Sequence, residues 1–221
     1  MAEVSETRAS SFSAEAFSAR ARGRLTLDDR PRGGGGEAAG DHALDPGFAG
    51  TAEAMAALRL AAVLIPVVAH RGEATVLLTQ RTEELPAHAG QIAFPGGKIE
   101  DDDATPLSAA LREAHEEVGL APGHVEPIGY LRPYHTRTGF HIVPVVAMVR
   151  PGFTLTLDRR EVADAFEVPL SFLMNPENHR RHSRVLRGAR RYFFAMPYEN
   201  RYIWGVTAGI IRELYKEVYR P

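Results

Sequence analysis

Cysteine is absent from this 221-residue chain, which also lacks a long apolar run and a marked excess of either charge. Without cysteine there is no disulfide, no thiolate metal site and no cysteine nucleophile, which fits a reducing, cytosolic setting. The longest apolar run, Leu60–Ala69, is short and contains Pro66, so it predicts a core strand and not a membrane span. We therefore expect a cytoplasmic protein with no membrane partner.

Charge is nearly balanced, with 26 Lys and Arg residues against 28 Asp and Glu residues and a net charge of -2. A general nucleic-acid binder usually carries a strong basic excess, so we expect no nucleic-acid partner. The basic run Arg180–Arg184, followed by Arg187, Arg190 and Arg191, is a local exception. Phosphate or nucleic-acid binding is one interpretation of this run, and the overall balance favours the other, a charged solvated loop.

Composition divides the chain into an N-terminal extension, residues 1–50, which we expect to be partly flexible, and one domain, residues 51–221. The segment Ser11–Leu25 predicts a short amphipathic helix, and the four glycines Gly33–Gly36 predict a linker. The apolar anchors of that helix are Phe12, Phe17 and Leu25.

Strand and helix patterns alternate in the rest of the chain. The runs Ala61–Ala69 and Ala74–Thr79 predict a hairpin, and Thr154–Leu157 is a weaker strand prediction. Helices are predicted at Pro106–Val118, with Thr105 and Gly119 at its ends, and at Thr207–Tyr219. We predict an α/β fold with a mixed sheet covered by helices on both faces. Further predicted elements are Val125–Leu131, Ile142–Val149, Ala163–Val168, Leu170–Met174, Tyr192–Ala195 and Tyr202–Ile203.

Three carboxylates lie on one face of the helix predicted at Pro106–Val118. At 100° per residue, Glu113, Glu116 and Glu117 fall within about 100° of arc, beside an apolar stripe. Acidic residues in the last turn oppose the helix dipole and repel one another, and Arg112 offsets this only in part. A bound divalent cation would resolve the conflict, and oxygen ligands suit Mg²⁺ or Mn²⁺. The alternative is a solvated acidic face.

Residues around that helix resemble a known family signature. The segment Gly97–Leu120 is similar to the Nudix box, Gly-x5-Glu-x7-Arg-Glu-U-x-Glu-Glu-x-Gly-U, where U is a bulky apolar residue. The half Arg112–Leu120 matches at every fixed polar and glycine position. The first half departs, because one extra residue separates Gly97 from Arg112 and the expected glutamate is Ala104, beside Asp103.

A second segment resembles the coenzyme A diphosphatase branch of Nudix hydrolases. It runs from Leu77 through Arg81 and His88 to the Phe-Pro-Gly-Gly stretch that ends at Gly97, with Pro86 at the position of the second signature arginine. The similarity covers about residues 60–215. The resemblance implies a Nudix-type α/β/α sandwich whose box is a loop–helix–loop. It also implies hydrolysis of coenzyme A to 4′-phosphopantetheine and adenosine 3′,5′-bisphosphate.

The resemblance also implies roles for the box residues. Glu113 and Glu117 are the metal ligands, Glu116 is a further ligand or the base, and Mg²⁺ or Mn²⁺ is the cofactor. Arg112 orients the cluster by pairing with a glutamate, and the Gly97 carbonyl is a further metal ligand. The catalytic set is therefore Arg112, Glu113 and Glu116, and the metal set is Glu113, Glu116, Glu117 and Gly97.

Substrate binding is assigned to Arg81, His88 and Gly96. An arginine forks onto phosphate oxygens, so Arg81 is chosen for the 3′-phosphate, with a surface salt bridge to a neighbouring glutamate as its alternative. Glu161 is either a carboxylate that joins the site or ordinary surface charge, and Trp204 either stacks on adenine or lies in the core.

Two other functions remain open at this point. One is Nudix hydrolysis of ADP-ribose, a dinucleotide or a nucleoside triphosphate, and the other is a nucleotide-sensing Nudix module without catalysis. The expected partner is a small diphosphate, and the oligomeric state is open between monomer and homodimer.

Overall fold

The structure is a computed structural model that describes residues 11–28, 39–40, 44, 58–186 and 188–220. The predicted glycine linker at Gly33–Gly36 lies outside the described residues. The helices are α1 (Ala14–Arg22), α2 (Pro106–Val118), α3 (Leu170–Leu173) and α4 (Val206–Val218). The strands are β1 (Ala39–Gly40), β2 (Arg59–Val68), β3 (Thr75–Arg81), β4 (Ile92–Ala93), β5 (Gly96–Lys98), β6 (Val125–Tyr130), β7 (Tyr134–His135), β8 (Phe140–Val149), β9 (Val162–Pro169), β10 (Arg180–Leu186), β11 (Ala189–Tyr198) and β12 (Arg201–Trp204).

The large sheet is mixed, as the sequence predicts. Its central path runs β1-β7-β8-β2-β3-β4, with β5 paired to β2, β6 to β8 and β9 to β3. Strands β2 and β8 are parallel along their whole length, from Arg59 opposite Phe140 to Val68 opposite Val149. Both faces of β2 are covered, which explains why its sequence is an almost continuous apolar run and does not alternate.

Helices cover both faces of this sheet. On one face, the alanines of α2 pack against Leu64 of β2 and Val145 of β8. On the other face, α1, α3 and α4 share a core in which Phe17, Ile65 and Ile210 are buried. The α/β class and the two helical layers predicted from the sequence are confirmed.

Helix α1 is part of the second core. Ser13 caps its first turn by accepting a hydrogen bond from the Ala16 N–H, and Phe17 is fully buried. The Phe12 ring stacks on Tyr219 with 5.4 Å between centroids. The helix predicted within Ser11–Leu25 therefore forms and packs on α4.

Three sequence interpretations were wrong in detail. The basic run is not a loop, because β10 and β11 form an antiparallel hairpin there. Thr154–Leu157 is not a strand; it passes the end of α2, where the Thr156 N–H donates to the Val118 carbonyl. Trp204 is half-buried and lies outside both apolar cores.

Within the described part of the chain, the helices are too short or too polar to cross a bilayer.

Candidate active site

Capping residues at its ends and buried alanines along one side position α2 with its acidic face toward β5. Thr105 and Ser108 form a reciprocal capping box at the start of the helix, and Pro106 occupies the first helical position. Gly119 ends it in the left-handed conformation, with φ 71°. Ala110 and Ala114 are fully buried, and this packing fixes the rotation of the helix.

Two consecutive glycines of β5 make room for the carboxylates of α2. The Gly96 N–H donates to Glu117 Oε2 at 3.2 Å. A Cβ on Gly97 would overlap the Glu113 carboxylate, and a Cβ on Gly96 would overlap the backbone of Ala62 and Val63. Only glycine therefore lets Glu113 and Glu117 lie side by side over this strand.

Arg112 holds the acidic groups around it. Its Nη1 donates to Glu113 Oε1 and to Glu116 Oε2, each at 3.0 Å. Its Nη2 lies 2.8 Å from Asp103 Oδ2 and 3.1 Å from the Lys98 carbonyl oxygen. A guanidinium presents several donors in a rigid fork, which suits one residue that serves several acceptors.

Asp103 is a site residue that the sequence interpretation did not assign. Its two oxygens accept from Nε and Nη2 of Arg112, and this hydrogen bonding lowers the pKa of Asp103. The available signal was its place beside Ala104, where the Nudix signature has a glutamate. Counted from Gly97, however, five residues precede Asp103 as in the signature, so Asp103 itself stands at the glutamate position and the extra residue lies between Asp103 and Arg112.

Burial sets the electrostatics of the pair over β5. Glu117 is only 5% exposed, and burial raises its pKa to about 8, against the hydrogen bond from Gly96. Burial also raises the pKa of Glu113, although the Arg112 charge opposes the shift. The negative charge of Glu161 also raises the pKa of both glutamates, so Glu161 contributes to the electrostatics of the site. The buried Glu117 and the half-buried Glu113 repel each other, and a cation would neutralise their combined charge.

Arg81 enters the site from β3. Its Nη1 lies 3.8 Å from Glu117 Oε1, and its side chain is 24% exposed. Glu117 is its ion-pair partner, so the alternative of a surface pair with a neighbouring glutamate was wrong. Arg81 Nε is buried and makes no hydrogen bond to the described residues, so the guanidinium keeps an unused donor. Beside it, the Thr82 N–H donates to the Glu161 carbonyl at 2.9 Å.

His88 lies apart from the carboxylates. It is exposed in the loop between β3 and β4, and its Nδ1 is 2.9 Å from Gln91 Oε1. The structure therefore brings most of the predicted site residues together and leaves His88 on the surface. The residues brought together are Arg81, Gly96, Gly97, Arg112, Glu113, Glu116 and Glu117.

The donor set at α2 and β5 fits a hard divalent cation. The available groups are carboxylate and main-chain oxygens, which Mg²⁺ and Mn²⁺ prefer. Within the described ranges, no three Asp, Glu, His or Cys side chains already converge as ligands on one point. Instead Glu113 and Glu116 are turned to Arg112, and Glu117 to the Gly96 N–H. Binding a cation requires these carboxylates to share their present partners with it.

Comparisons with known proteins give a consistent result. The NUDIX domain profile matches residues 58–188. The uncharacterized Nudix hydrolase NudL of Citrobacter koseri is 45% identical over 160 residues, which cover 72% of this chain and 83% of the relative. NudL of Escherichia coli K12 is 43% identical with the same coverage. The crystal structure of the Nudix hydrolase RenU of M. smegmatis is 26% identical, covers 50% of this chain and 70% of its own, and has a TM-score of 0.43.

The fold and the glutamates over a glycine strand define a hydrolase that acts on pyrophosphate bonds. The chain belongs to the Nudix family, since the family profile matches more than half of it and the relatives exceed 40% identity. It is a Nudix hydrolase of nucleoside diphosphate derivatives. Enzymes of this family generally use divalent metal ions such as Mg²⁺ or Mn²⁺.

Proposed function

We propose that this enzyme hydrolyses the diphosphate of coenzyme A, or of a coenzyme A derivative, to 4′-phosphopantetheine and adenosine 3′,5′-bisphosphate. The observation that carries the proposal is the position of Arg81, 3.8 Å from the buried Glu117. Arg81 ends the Leu77–Arg81 segment that resembles the coenzyme A branch. A substrate phosphate bound beside these carboxylates needs a positively charged partner, and the Arg81 guanidinium can provide it.

The rest of that resemblance borders the same site. The segment from Leu77 to Gly97 forms β3, β4 and β5, so its glycines contact Glu113 and Glu117 while its arginine faces Glu117. Pro86, which replaces the second signature arginine, is exposed in the loop between β3 and β4. A phosphate contact from that loop position is therefore missing, so phosphate binding depends more strongly on Arg81.

We assign the acidic residues as follows. Glu113 and Glu117 hold Mg²⁺ or Mn²⁺, with Glu116 as a further ligand or the base and the Gly97 carbonyl as a backbone ligand. The bound cation supplies charge neutralisation at the diphosphate and acidifies a water molecule. Arg112 keeps the Glu113 and Glu116 carboxylates in position, and Asp103 keeps Arg112 in position. Glu116 is the most exposed of the three glutamates, with a side chain 58% exposed, so it can reach water.

We assign Arg81 to the 3′-phosphate of the substrate. The Arg81 side chain is 24% exposed beside Glu117, and an exposed guanidinium can donate to phosphate oxygens. Because cysteine is absent, we propose that the reaction takes place in the reducing cytoplasm.

A product assay tests the substrate. The protein is incubated separately with coenzyme A, ADP-ribose, NADH and a nucleoside triphosphate, with Mg²⁺, with Mn²⁺ and with chelator, and products are identified by mass. We expect metal-dependent release of phosphopantetheine, fastest from coenzyme A. Faster cleavage of another diphosphate contradicts the coenzyme A assignment but keeps Nudix chemistry. Metal binding without any turnover would favour a nucleotide sensor.

A comparison of two substrates tests Arg81. Dephospho-coenzyme A has the same diphosphate but no 3′-phosphate. We expect Arg81→Ala to raise KM for coenzyme A about tenfold or more and to leave dephospho-coenzyme A nearly unchanged. The matched control is Arg132→Ala, which removes an exposed arginine paired with Glu213. Equal losses for both substrates would show that Arg81 only neutralises Glu117.

A further inference from the structure

The small sheet β10–β11–β12 has one face in the core and a second face that is partly exposed to solvent. Met196 and Ile203 are fully buried, and Phe194 packs against the same core. Residues that alternate along a strand point to opposite faces, and residues directly opposite each other on paired strands share a face. His182 is opposite Phe193, and Ala195 is opposite Trp204. The outer face therefore contains these four residues and every second residue along each strand from them.

Aromatic rings occupy the centre of this outer face. The Phe193 ring meets Trp204 edge-on with 5.2 Å between centroids, and Tyr202 lies 6.5 Å from Trp204. The Tyr202 hydroxyl is 2.7 Å from His182 Nδ1. Tyr202 is 41% exposed, and the other three residues are half-buried. The result is a surface of mutually tilted aromatic rings that is partly open to solvent.

Arginines border these rings on the same face. Arg180 and Arg184 are exposed on the outer strand β10, about 13 Å apart at 3.3 Å per residue. Arg191 lies opposite Arg184 on β11. Residues 178–198 contain six of the 26 basic residues and no Asp or Glu, and three of the six, Arg180, Arg184 and Arg191, belong to this face. The net charge of -2 therefore conceals a local concentration of positive charge.

We propose that this outer face binds single-stranded nucleic acid. The phosphodiester backbone follows the arginines of β10, and successive bases stack on Phe193, Trp204 and Tyr202. Proteins that bind single strands without sequence preference combine a positive track with aromatic stacking surfaces in this way. The proposal is independent of the diphosphatase assignment, and it departs from the expectation that the balanced charge excludes nucleic acid.

The placement of the rings favours this ligand over an anionic membrane. A membrane-binding hairpin presents its aromatic side chains at the end that enters the interface. Here the rings lie across the middle of three strands, and Phe193 is five residues from the turn at Gly188. The spread of the rings over three strands also favours an extended strand over a single nucleotide, which needs an enclosing pocket.

Fluorescence anisotropy with a labelled twelve-nucleotide oligouridylate tests the arginines. We expect saturable binding that weakens as salt is raised, and a loss of at least tenfold in the double variant Arg180→Ala/Arg184→Ala. The charge-matched control is Arg71→Ala/Arg150→Ala, which removes two exposed arginines at the far end of the large sheet. Diphosphatase turnover of a small substrate should be unchanged in both double variants. Equal weakening in both would mean that binding depends on net charge only and would overturn the proposal.

Substitutions of Trp204 test the stacking. We expect Trp204→Leu to weaken oligouridylate binding about tenfold and Trp204→Phe to restore most of it, because base stacking needs an aromatic face. If Trp204→Leu destabilises the fold, Tyr202→Ala provides a second test at a more exposed position. We expect Tyr202→Ala to weaken oligouridylate binding as well. An abasic oligonucleotide should not distinguish Trp204→Leu from the native protein. No oligonucleotide binding, or binding only to vesicles that contain phosphatidylglycerol, contradicts the proposal.

Discussion

The acidic end of α2 and the basic outer face of the small sheet handle charge in opposite ways. At α2, Glu117 is buried, accepts from a backbone N–H and lies beside a second carboxylate. On the small sheet, Arg180 and Arg184 project into solvent from an edge strand. Buried like charges raise the free energy of the folded state, whereas exposed ones are screened at little cost. In our assignment, the free-energy cost at α2 serves metal binding and catalysis, and the exposed charge of the sheet serves contact with a ligand.

Glu117→Gln removes the most deeply buried charge and should have the largest effect on catalysis. We expect turnover with Mg²⁺ to fall by about a thousandfold, because a neutral amide is a poor ligand and does not offset the cation's charge. Steady-state assays with Mg²⁺ and with Mn²⁺ measure the loss.

The matched control for this change is Glu126→Gln. Glu126 is exposed and pairs with Arg22 at 2.5 Å, so the same chemical substitution there should leave turnover unchanged. Native turnover in Glu117→Gln would refute its role as a metal ligand.

We assign Arg112 as a positioning residue, and its removal should have the second largest effect. We expect Arg112→Ala to lose about a hundredfold in metal affinity or turnover, as outer-shell partners of metal ligands do. Arg112→Lys should recover only part of this, because an ammonium cannot serve Asp103, Glu113 and Glu116 at once. Metal titration by calorimetry separates affinity from turnover. The charge-matched comparison is Arg180→Ala on the small sheet, for which we expect less than a twofold change.

The two glycines of β5 should fail in different ways. In Gly97→Ala, the new Cβ meets only the end of the Glu113 side chain, so we expect about a tenfold loss of turnover in a folded protein. In Gly96→Ala, the Cβ meets the backbone of Ala62 and Val63 at a φ of 154°, so we expect a lower melting temperature as well. Calorimetric melting together with turnover distinguishes them. Loss of stability in both variants alike would show that Gly97 is needed for packing.

The smallest of the expected effects is on the pH dependence of stability, which should reflect the burial of Glu117. Its pKa is raised from 4.5 to about 8, so the native state binds more protons than the unfolded state between these values. The stability of the metal-free protein therefore falls as pH rises from 4.5 to 8. We expect the native protein to melt several degrees below Glu117→Gln at pH 8.5 and close to it at pH 4.5, in chelator. A melting difference that does not change with pH would contradict this account.

Sequence alone could predict α2 because its determinants are local. Thr105, Pro106 and Gly119 mark its ends, and the spacing of its acids places Glu113 and Glu117 on one face. The β2–β3 hairpin and the helix α4 also follow from nearby residues, through apolar periodicity and turns. The α/β class follows from the alternation of these elements.

Other features depend on which distant residues meet. Asp103 pairs with Arg112 across a loop of unusual length, and no local pattern fixes that contact. Arg81 is paired with Glu117 and not with an acid near it in sequence, because the partners of β3 decide where its last residue points. The arginines after residue 179 could be assigned to a strand only through their pairing with Tyr192–Ala195 of β11.

Helix α1 has a consequence for the order in which this protein is made. The residues at its two ends contact the last residues described: the Phe12 ring stacks on Tyr219, and the Arg24 Nη1 donates to the carbonyls of Glu217 and Arg220 at 2.9 and 3.1 Å. At about 5–20 residues per second, a ribosome needs roughly 10–40 s to add the intervening chain. Helix α1 is therefore synthesised well before α4, and these contacts form only after the intervening chain has been added. Until then, the side of Phe17 that faces Tyr219 is uncovered and accessible to chaperones.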